Sequence, residues 1–415
     1  MLDEVACRHH SARLMEGGHN MSTNAEAEDS PLNAPGGLRE VALLMFRLGW
    51  TAFGGPAAHT AMLRDEVVVR RKWLTDQHFL DLMGAANLIP GPNSTELVIH
   101  SSYQRAGWRG LVVGGSLFIL PAATLVLLFA WLYVEYGTTT TGEWLLYGIK
   151  PVVIAVVAQA LWGLGRAALR GPLLTAVAAG VLGLYLLGGN EIALMFGGAL
   201  LVTLVRNWRR LRERRTGTLS IAPTPVIFAM LGAVSGAALV EYSGTRLFLT
   251  FLKIGSVLYG SGYVLLAFLR NDFVTRLGWL TEQQLLDAVA VGQFTPGPVF
   301  TTATFVGYVV GGFPGAVLAT LGIFIPAFFF VALSIPILPH IRRSPWTAAA
   351  LDGVNVAALG LMAAVLIELA GAALVDVMTV VLAAMAAVLL IRFRVNSAWL
   401  VLGGGLIGIV WGQLT

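Results

Sequence analysis

The chain has 415 residues, of which 56% are hydrophobic and only 12% are charged, and its net charge is +4 at pH 7. Soluble domains carry about a quarter charged residues, so this composition excludes a soluble globular protein, a disordered chain and a coiled coil. The single cysteine, Cys7, excludes internal disulfides and a cysteine-based metal cluster. Because the basic residues fall in short clusters between apolar runs, we expect membrane lipid and no nucleic acid as a partner.

The first 37 residues are polar and lack the apolar core of a signal peptide, so we interpret 1–37 as a disordered tail. From residue 38 onward, apolar runs of about 17–25 residues follow one another, each long enough to cross ~30 Å of hydrocarbon. We predict membrane segments at 39–62, 80–103, 110–134, 145–165, 172–189, 191–206, 225–241, 247–269, 284–308, 313–337, 347–371, 375–391 and 397–413.

The two halves of the chain repeat one pattern. Arg47 aligns with Lys253, and Pro90-Gly-Pro92 aligns with Pro296-Gly-Pro298, all 206 residues apart, and the offset becomes 205 after a one-residue slip. Most basic loops fall at different places in the two halves, so the positive-inside rule gives the halves opposite orientations. The loops at 64–72 and 270–276 are basic in both halves, and a re-entrant hairpin near 39–62 or 80–103 would reconcile them with this orientation. The sequence predicts an all-α polytopic membrane protein of two homologous inverted-topology repeats with broken helices and about 11–13 membrane segments.

The predicted domains are an N-terminal repeat at 38–206, a basic linker at 207–224 and a C-terminal repeat at 225–415 with one extra span. The linker contains the largest arginine cluster of the chain, and the positive-inside rule places it in the cytoplasm.

The Pro-Gly-Pro sequences interrupt two apolar segments, because proline cannot continue a helix and glycine adds backbone freedom. Pro92 and Pro298 suit the first position of a new half-helix, whose free amides and positive end favour an anion. Four hydroxyl side chains follow as further donors: Ser94, Thr95, Thr301 and Thr302. The alternative interpretation is a pair of proline kinks with no ligand.

A second pair of interruptions is Phe53-Gly-Gly-Pro56 and Tyr259-Gly-Ser-Gly262. These sequences either shape a cavity or allow close helix packing through small residues. Pairs of broken segments in corresponding halves are typical of a transporter site.

Charged residues inside apolar segments are costly and usually functional or paired. Arg47 and Lys253 would balance the charge of a divalent anion, or else extend to the membrane interface. Lys150 and its counterpart Asn355 allow the same two interpretations. Glu96 follows the first Pro-Gly-Pro and is either a proton-coupling carboxylate or a residue that favours the half-helix start.

The chain has no GxxxxGK[ST] sequence and no HExxH or Cys/His metal spacing. We therefore expect no ATP-driven step, no cofactor, no metal and no enzymatic activity.

The motifs resemble the chromate ion transporter family in its long, two-domain form. The matching sequences are Phe53-Gly-Gly-Pro56, Asn87-Leu-Ile-Pro-Gly-Pro-Asn-Ser-Thr-Glu96, Ala106-Gly-Trp-Arg-Gly110 and Thr295-Pro-Gly-Pro-Val-Phe-Thr-Thr-Ala-Thr-Phe-Val-Gly-Tyr308. The resemblance covers about 40–415. Tyr259-Gly-Ser-Gly262 departs from the first-half pattern, so the halves need not bind equivalently.

The resemblance implies chromate export across the bacterial inner membrane, chromate resistance, use of the proton-motive force and competition by sulfate; a homodimer is a further expectation. Together with the matched helix breaks, it places the substrate between the two Pro-Gly-Pro sequences. The predicted substrate-binding residues are Arg47, Phe53, Gly54, Gly55, Pro56, Asn87, Pro90, Gly91, Pro92, Asn93, Ser94, Thr95, Lys150, Lys253, Tyr259, Gly260, Ser261, Gln293, Thr295, Pro296, Gly297, Pro298, Thr301, Thr302 and Asn355, with Glu96 for proton coupling.

Three alternatives stand beside chromate export. They are a transporter of sulfate or another tetrahedral oxyanion, a passive anion channel, and an intramembrane enzyme such as a chromate reductase. The enzyme lacks any visible redox residue pair or cofactor motif in the sequence.

Overall fold

The computed structural model describes residues 37–53, 55–213, 241–259, 262–341 and 345–414, which contain helices and no strand. Gly54, Gly260 and Ser261, almost all of the predicted tail, and nearly the whole predicted span 225–241 lie outside these residues. The helices of the first half are α1 (Gly37–Thr51), α2 (Gly55–Arg64), α3 (Asp76–Ala86), α4 (Asn93–Tyr136), α5 (Thr140–Ala168), α6 (Pro172–Leu186) and α7 (Glu191–Glu213).

The second half repeats this order. Its helices are α8 (Gly244–Val257), α9 (Leu265–Leu269), α10 (Glu282–Phe294), α11 (Thr302–Ile341), α12 (Pro345–Ala373), α13 (Val377–Arg392) and α14 (Ser397–Leu414). A π-helical segment follows α2 at Asp65–Arg70, and another follows α9 at Arg270–Arg276. Short 3-10 turns lie at Gly262–Val264 and Val299–Thr301.

Six helical segments of the described part are long and apolar enough to cross a membrane, judged by length and composition: Asn93–Tyr136, Thr140–Ala168, Glu191–Trp208, Val299–Pro336, Trp346–Ala373 and Ser397–Leu414. Two shorter apolar helices, α6 and α13, accompany them. The expectation of an all-α polytopic membrane protein is confirmed. Helix α7 continues to Glu213, so the first residues of the predicted linker are helical.

Helices α4 and α11 fold back on themselves. Non-helical backbone at Gly107 (φ 59°) and at Gly312 (φ 61°) divides each into two arms. The Oγ1 atoms of Thr304 and Thr320 lie 2.7 Å apart, although 16 residues of straight helix would separate them by about 24 Å. A hairpin turn in each repeat therefore separates the segments predicted as distinct spans. These are 80–103 and 110–134 in the first repeat, and 284–308 and 313–337 in the second.

The two halves exchange their C-terminal helices. Helices α13 and α14 of the second half pack against α5 of the first, and α6 and α7 of the first half pack against α12 of the second. Helices α4 and α11 meet between the halves, and each packs against the first helix of its own half, α1 or α8. The core is thus shared by both repeats, and the helix breaks lie where the repeats meet.

Candidate functional site

Both Pro-Gly-Pro sequences interrupt helices as predicted. The first lies between α3 and α4, and the second lies between α10 and the turn at Val299–Thr301. Gly91 has φ 140° and Gly297 has φ 89°, a left-handed region that favours glycine. Pro92 and Pro298 immediately precede the first helical turn instead of starting it, one residue earlier than predicted.

Each break is hydrogen-bonded to the opposite repeat. The amide of Gly91 donates to the carbonyl of Leu258 at 2.8 Å, and the amide of Gly297 donates to the carbonyl of Ala52 at 2.9 Å. The two donors are 206 residues apart and so are the two acceptors. The repeat therefore relates one hydrogen bond to the other. Such reciprocal contacts are those of an approximate two-fold arrangement. Ala52 and Leu258 precede the second pair of interruptions, which also end helices.

Polar groups at the start of α4 are buried and differ from their counterparts in the second repeat. Thr95 and Glu96 are fully buried, and the Thr95 hydroxyl and both Glu96 carboxylate oxygens have no hydrogen-bond partner among the described residues. The equivalent Thr301 and Thr302 donate to the carbonyls of Pro298 and Val299, at 2.7 and 2.8 Å. The first repeat therefore holds a buried carboxyl where the second holds a satisfied hydroxyl.

Two buried histidines flank this segment. The Nε2 of His59 lies 2.9 Å from the Ala52 carbonyl, and its Nδ1 lies 3.4 Å from the hydroxyl of Ser94. His100, one helical turn after Glu96, lies 3.3 Å from the Ser334 hydroxyl. The second repeat has Leu265 and Val306 at the equivalent positions, so the two histidines have no titratable counterpart there.

Arg47 and Lys253 are each paired with an acid from their own repeat. Arg47 contacts Glu66, and the Lys253 Nζ lies 2.6 Å from an Asp272 carboxylate oxygen. Both pairs are 19 residues apart in sequence and both obey the 206-residue offset. The two acids were not predicted from the sequence, although the same offset aligns Glu66 with Asp272. Charge balancing of an anion by Arg47 and Lys253 stays a prediction.

Lys150 connects the two repeats. Its Nζ lies 3.4 Å from the carboxylate of Asp287 and donates to Gln283 Oε1 at 2.7 Å. Tyr133 also donates to Asp287, at 3.0 Å. The counterpart of Lys150, Asn355, is exposed on α12, so the two positions have different surroundings.

A cavity of about 490 Å³ opens beside the second Pro-Gly-Pro. Five predicted residues line it: Phe53, Gly55, Gln293, Thr295 and Gly297. Four polar lining residues of α5 and the α13–α14 loop were not predicted from the sequence, namely Gln159, Arg394, Asn396 and Ser397. No local motif marks them, because they reach the cavity only through the exchange of helices between halves.

The remaining predicted residues lie around the first break. Asn93 Nδ2 donates to Asn87 Oδ1 at 2.5 Å, which ties together the two ends of the break. Pro56 lies in the first turn of α2, and Tyr259, half-buried, follows the end of α8. The predicted residues thus do not form one site: five line the cavity, others lie at the two breaks, and Arg47, Lys253 and Lys150 are held in ion pairs.

Two repeats of apolar helices, broken at matched positions and joined through those breaks, define a multi-pass membrane transport protein. The family model described as "Chromate transporter" matches residues 39–203 and 245–409. The chain therefore belongs to the chromate transporter family, which is one of transport proteins and not of enzymes. The two matches begin and end 206 residues apart, which confirms two homologous repeats.

Similar proteins cover most of the chain. A "Chromate transport protein" of Cupriavidus metallidurans is 31% identical over 379 residues, spanning 90% of this chain and 93% of the relative. A protein of the same name from Pseudomonas aeruginosa is 33% identical over 352 residues, 83% of each chain. A "Probable chromate transport protein" of Synechococcus elongatus is 28% identical over 354 residues, covering 82% of this chain and 87% of the relative. No solved structure matches the chain.

Proposed function

We propose that this protein exports chromate from the cytoplasm across the bacterial inner membrane, driven by the proton-motive force, and so confers chromate resistance. The observation that carries the proposal is the pair of Pro-Gly-Pro breaks, each hydrogen-bonded to the opposite repeat, with a cavity beside the second. Movement of one repeat against the other would change both contacts together, as alternating access requires.

The chemistry of the cavity favours an anion. Among its described lining residues Arg394 is the one ionisable group and no acid occurs, while Gln159 and Gln293 supply neutral donors. Such surroundings attract negative charge. They would recognise a tetrahedral dianion by its charge and its oxygen atoms, whichever its central atom is. Sulfate has the same shape and charge, so it is the second candidate substrate.

The predicted orientation supports access to the cavity from the cytoplasm, where an exported anion would bind. Arg392 is the last residue of α13 and Arg394 lines the cavity two residues later, and the positive-inside rule assigns this end of α13 to the cytoplasm. The structure then corresponds to a state open to the cytoplasm. The inverted orientation of the two repeats is part of this proposal.

Proton coupling is assigned to Glu96. An ionised carboxyl is costly in a buried site without a partner, so the charge state of Glu96 depends on what lies next to it. A carboxyl that gains and loses a proton during transport would supply the coupling to a proton gradient that a passive channel does not need.

Everted membrane vesicles with and without the protein test the proposal, because export then appears as uptake. We expect proton-gradient-dependent accumulation of labelled chromate that sulfate inhibits. If labelled sulfate accumulates and chromate does not, the assignment of chromate as the substrate is wrong. Flux that persists unchanged after an uncoupler is added contradicts coupling and indicates a channel. Measuring Cr(VI) and Cr(III) afterwards tests for reduction.

A further inference from the structure

The α13–α14 loop places a free cation at the cavity. Arg394 lines the cavity and has no ion pair or hydrogen bond with another described residue. Its neighbour Arg392 is outside the lining, and its guanidinium lies over the Phe393 ring, 5.9 Å from the ring centroid. Two arginines only two residues apart, one at the end of α13 and one in the loop, therefore have different surroundings.

The backbone of Arg394 is unusual. Its φ is 54°, a left-handed value that residues with a side chain rarely adopt. The equivalent loop of the first repeat has Gly188 at this position, with φ 92°. The alignment is fixed by Asn190 and Asn396, whose Oδ1 atoms each accept the amide two residues later, at 3.1 and 2.9 Å. The second repeat thus carries an arginine at a backbone position suited to glycine.

A strained backbone persists only where the surrounding structure enforces it, and such positions cluster at functional sites. The exchange of glycine for arginine costs local stability and adds one positive charge to a cavity that has no acid among its described lining residues. The left-handed turn ends α13, with the Val395 amide donating to the Leu389 carbonyl at 3.3 Å, and it fixes where the Arg394 side chain leaves the backbone.

We propose that Arg394 binds the transported tetrahedral oxyanion at the mouth of the cavity. The planar guanidinium donates two parallel hydrogen bonds to such an oxyanion, and the neutral side chains of Gln159, Asn396 and Ser397 complete the recognition. The proposal rests on the proposed function and deepens it, because it assigns anion binding to the α13–α14 loop of one repeat, outside both Pro-Gly-Pro sequences.

The test compares Arg394→Gln with Arg392→Gln in everted vesicles, measuring initial rates of labelled chromate uptake. The two variants make the same charge change two residues apart, at the end of α13 and in the loop that follows it. We expect Arg394→Gln to raise the KM for chromate by about tenfold or more, with a parallel loss of sulfate inhibition, since a charge-assisted hydrogen bond is lost. Arg392→Gln should keep the KM of the unmodified protein.

A second variant separates binding from folding. Arg394→Gly suits the backbone, so we expect it to be expressed and to melt at least as high as the unmodified protein while its KM rises as in Arg394→Gln. Unchanged KM in both Arg394 variants, or an equal rise in Arg392→Gln, would overturn the role of Arg394 and leave chromate transport standing. Absence of chromate uptake by the unmodified protein would instead contradict the proposed function.

Discussion

Gly91 and Gly297 show how single residues hold the two breaks together. Each has a positive φ and donates its amide to the opposite repeat. A Cβ on Gly297 would lie 2.6 Å from the Cβ of Ala122, and a Cβ on Gly91 would lie 2.2 Å from a carboxylate oxygen of Glu96. The backbone conformation therefore favours glycine at both positions, and at Gly297 the fixed Ala122 Cβ also leaves no room for a side chain, whereas the Glu96 carboxyl near Gly91 is the end of a flexible side chain.

We expect Gly297→Ala to destabilise the protein by about 1–3 kcal/mol and to reduce chromate transport, because strained backbone and steric overlap act together. Gly180→Ala is the matched control, since Gly180 lies inside α6 with open space around it. Thermal unfolding of the detergent-solubilised variants measures the difference. Equal melting of the two variants contradicts a requirement for glycine at position 297.

The paired charges at Arg47 and Glu66 allow a test of what the arginine does. Glu66 is largely buried, so Arg47→Gln removes a partner from this carboxylate as well as a positive charge. If Arg47 balances the charge of the anion, Arg47→Gln should lose transport and the double variant Arg47→Gln/Glu66→Gln should remain inactive, because the anion would still lack its counter-charge.

Lys253→Gln with Asp272→Asn is the matched pair in the second repeat, and chromate uptake at equal expression is the readout. Recovery of transport in either double variant would show that the arginine or lysine is needed only to neutralise its paired carboxylate and not to bind the anion.

Glu96 lies fully buried where the second repeat has Thr302. If Glu96 couples proton movement to transport, Glu96→Gln should abolish accumulation driven by a pH gradient and keep exchange of labelled for unlabelled chromate, since the amide carries no proton. Thr302→Val is the control, because it changes the equivalent position without a titratable group. Gradient-driven accumulation by Glu96→Gln would exclude this coupling role.

At the scale of helices, the exchanged hairpin of α13 and α14 depends on glycine contacts with α5. A Cβ on Gly148 would lie 2.0 Å from the Gly404 carbonyl, and a Cβ on Gly408 would lie 2.1 Å from the Trp144 carbonyl. Small residues allow this approach of backbones, which stabilises helix pairs in lipid through van der Waals packing. The loop that carries Arg394 is positioned by this contact.

Gly404→Val should therefore separate α14 from α5 and lower stability by about 1–3 kcal/mol, as overpacking does. Gly403→Val is the neighbouring control, since a Cβ at Gly403 meets nothing within 4 Å. Melting temperatures and chromate KM, measured on both variants, are expected to change for Gly404→Val alone. A similar loss in Gly403→Val would assign the effect to valine in α14 and not to the contact.

At the scale of the whole molecule, neither half contains a complete core. Helices α13 and α14 cover α5, and α6 and α7 cover α12, so each half leaves an apolar helix uncovered when its partner is absent. Lys150 adds a contact to Asp287 across the two halves.

We expect residues 1–224 and 225–415, expressed separately, to be degraded or to aggregate, and the co-expressed halves to copurify and transport chromate. Affinity purification through a tag on one half, followed by vesicle transport, measures this. A half that is monodisperse and stable alone would contradict the shared core.

Much of the architecture could be predicted from the sequence. Apolar run lengths indicate membrane helices because backbone groups in lipid must be satisfied within the helix, and proline and glycine mark the breaks because proline removes a donor. The 206-residue offset is enough to align the breaks of the two halves, and the family match at 39–203 and 245–409 has the same offset.

Tertiary structure alone decided which groups meet. Arg47 and Lys253 are paired with Glu66 and Asp272, the breaks hydrogen-bond across the repeats, and Arg394 reaches the cavity beside Gly297. Local sequence determined the helices and their interruptions, since these depend on backbone chemistry within a few residues. The site depended on the exchange of helices between halves, because contacts between residues hundreds of positions apart are set by packing and not by local propensity.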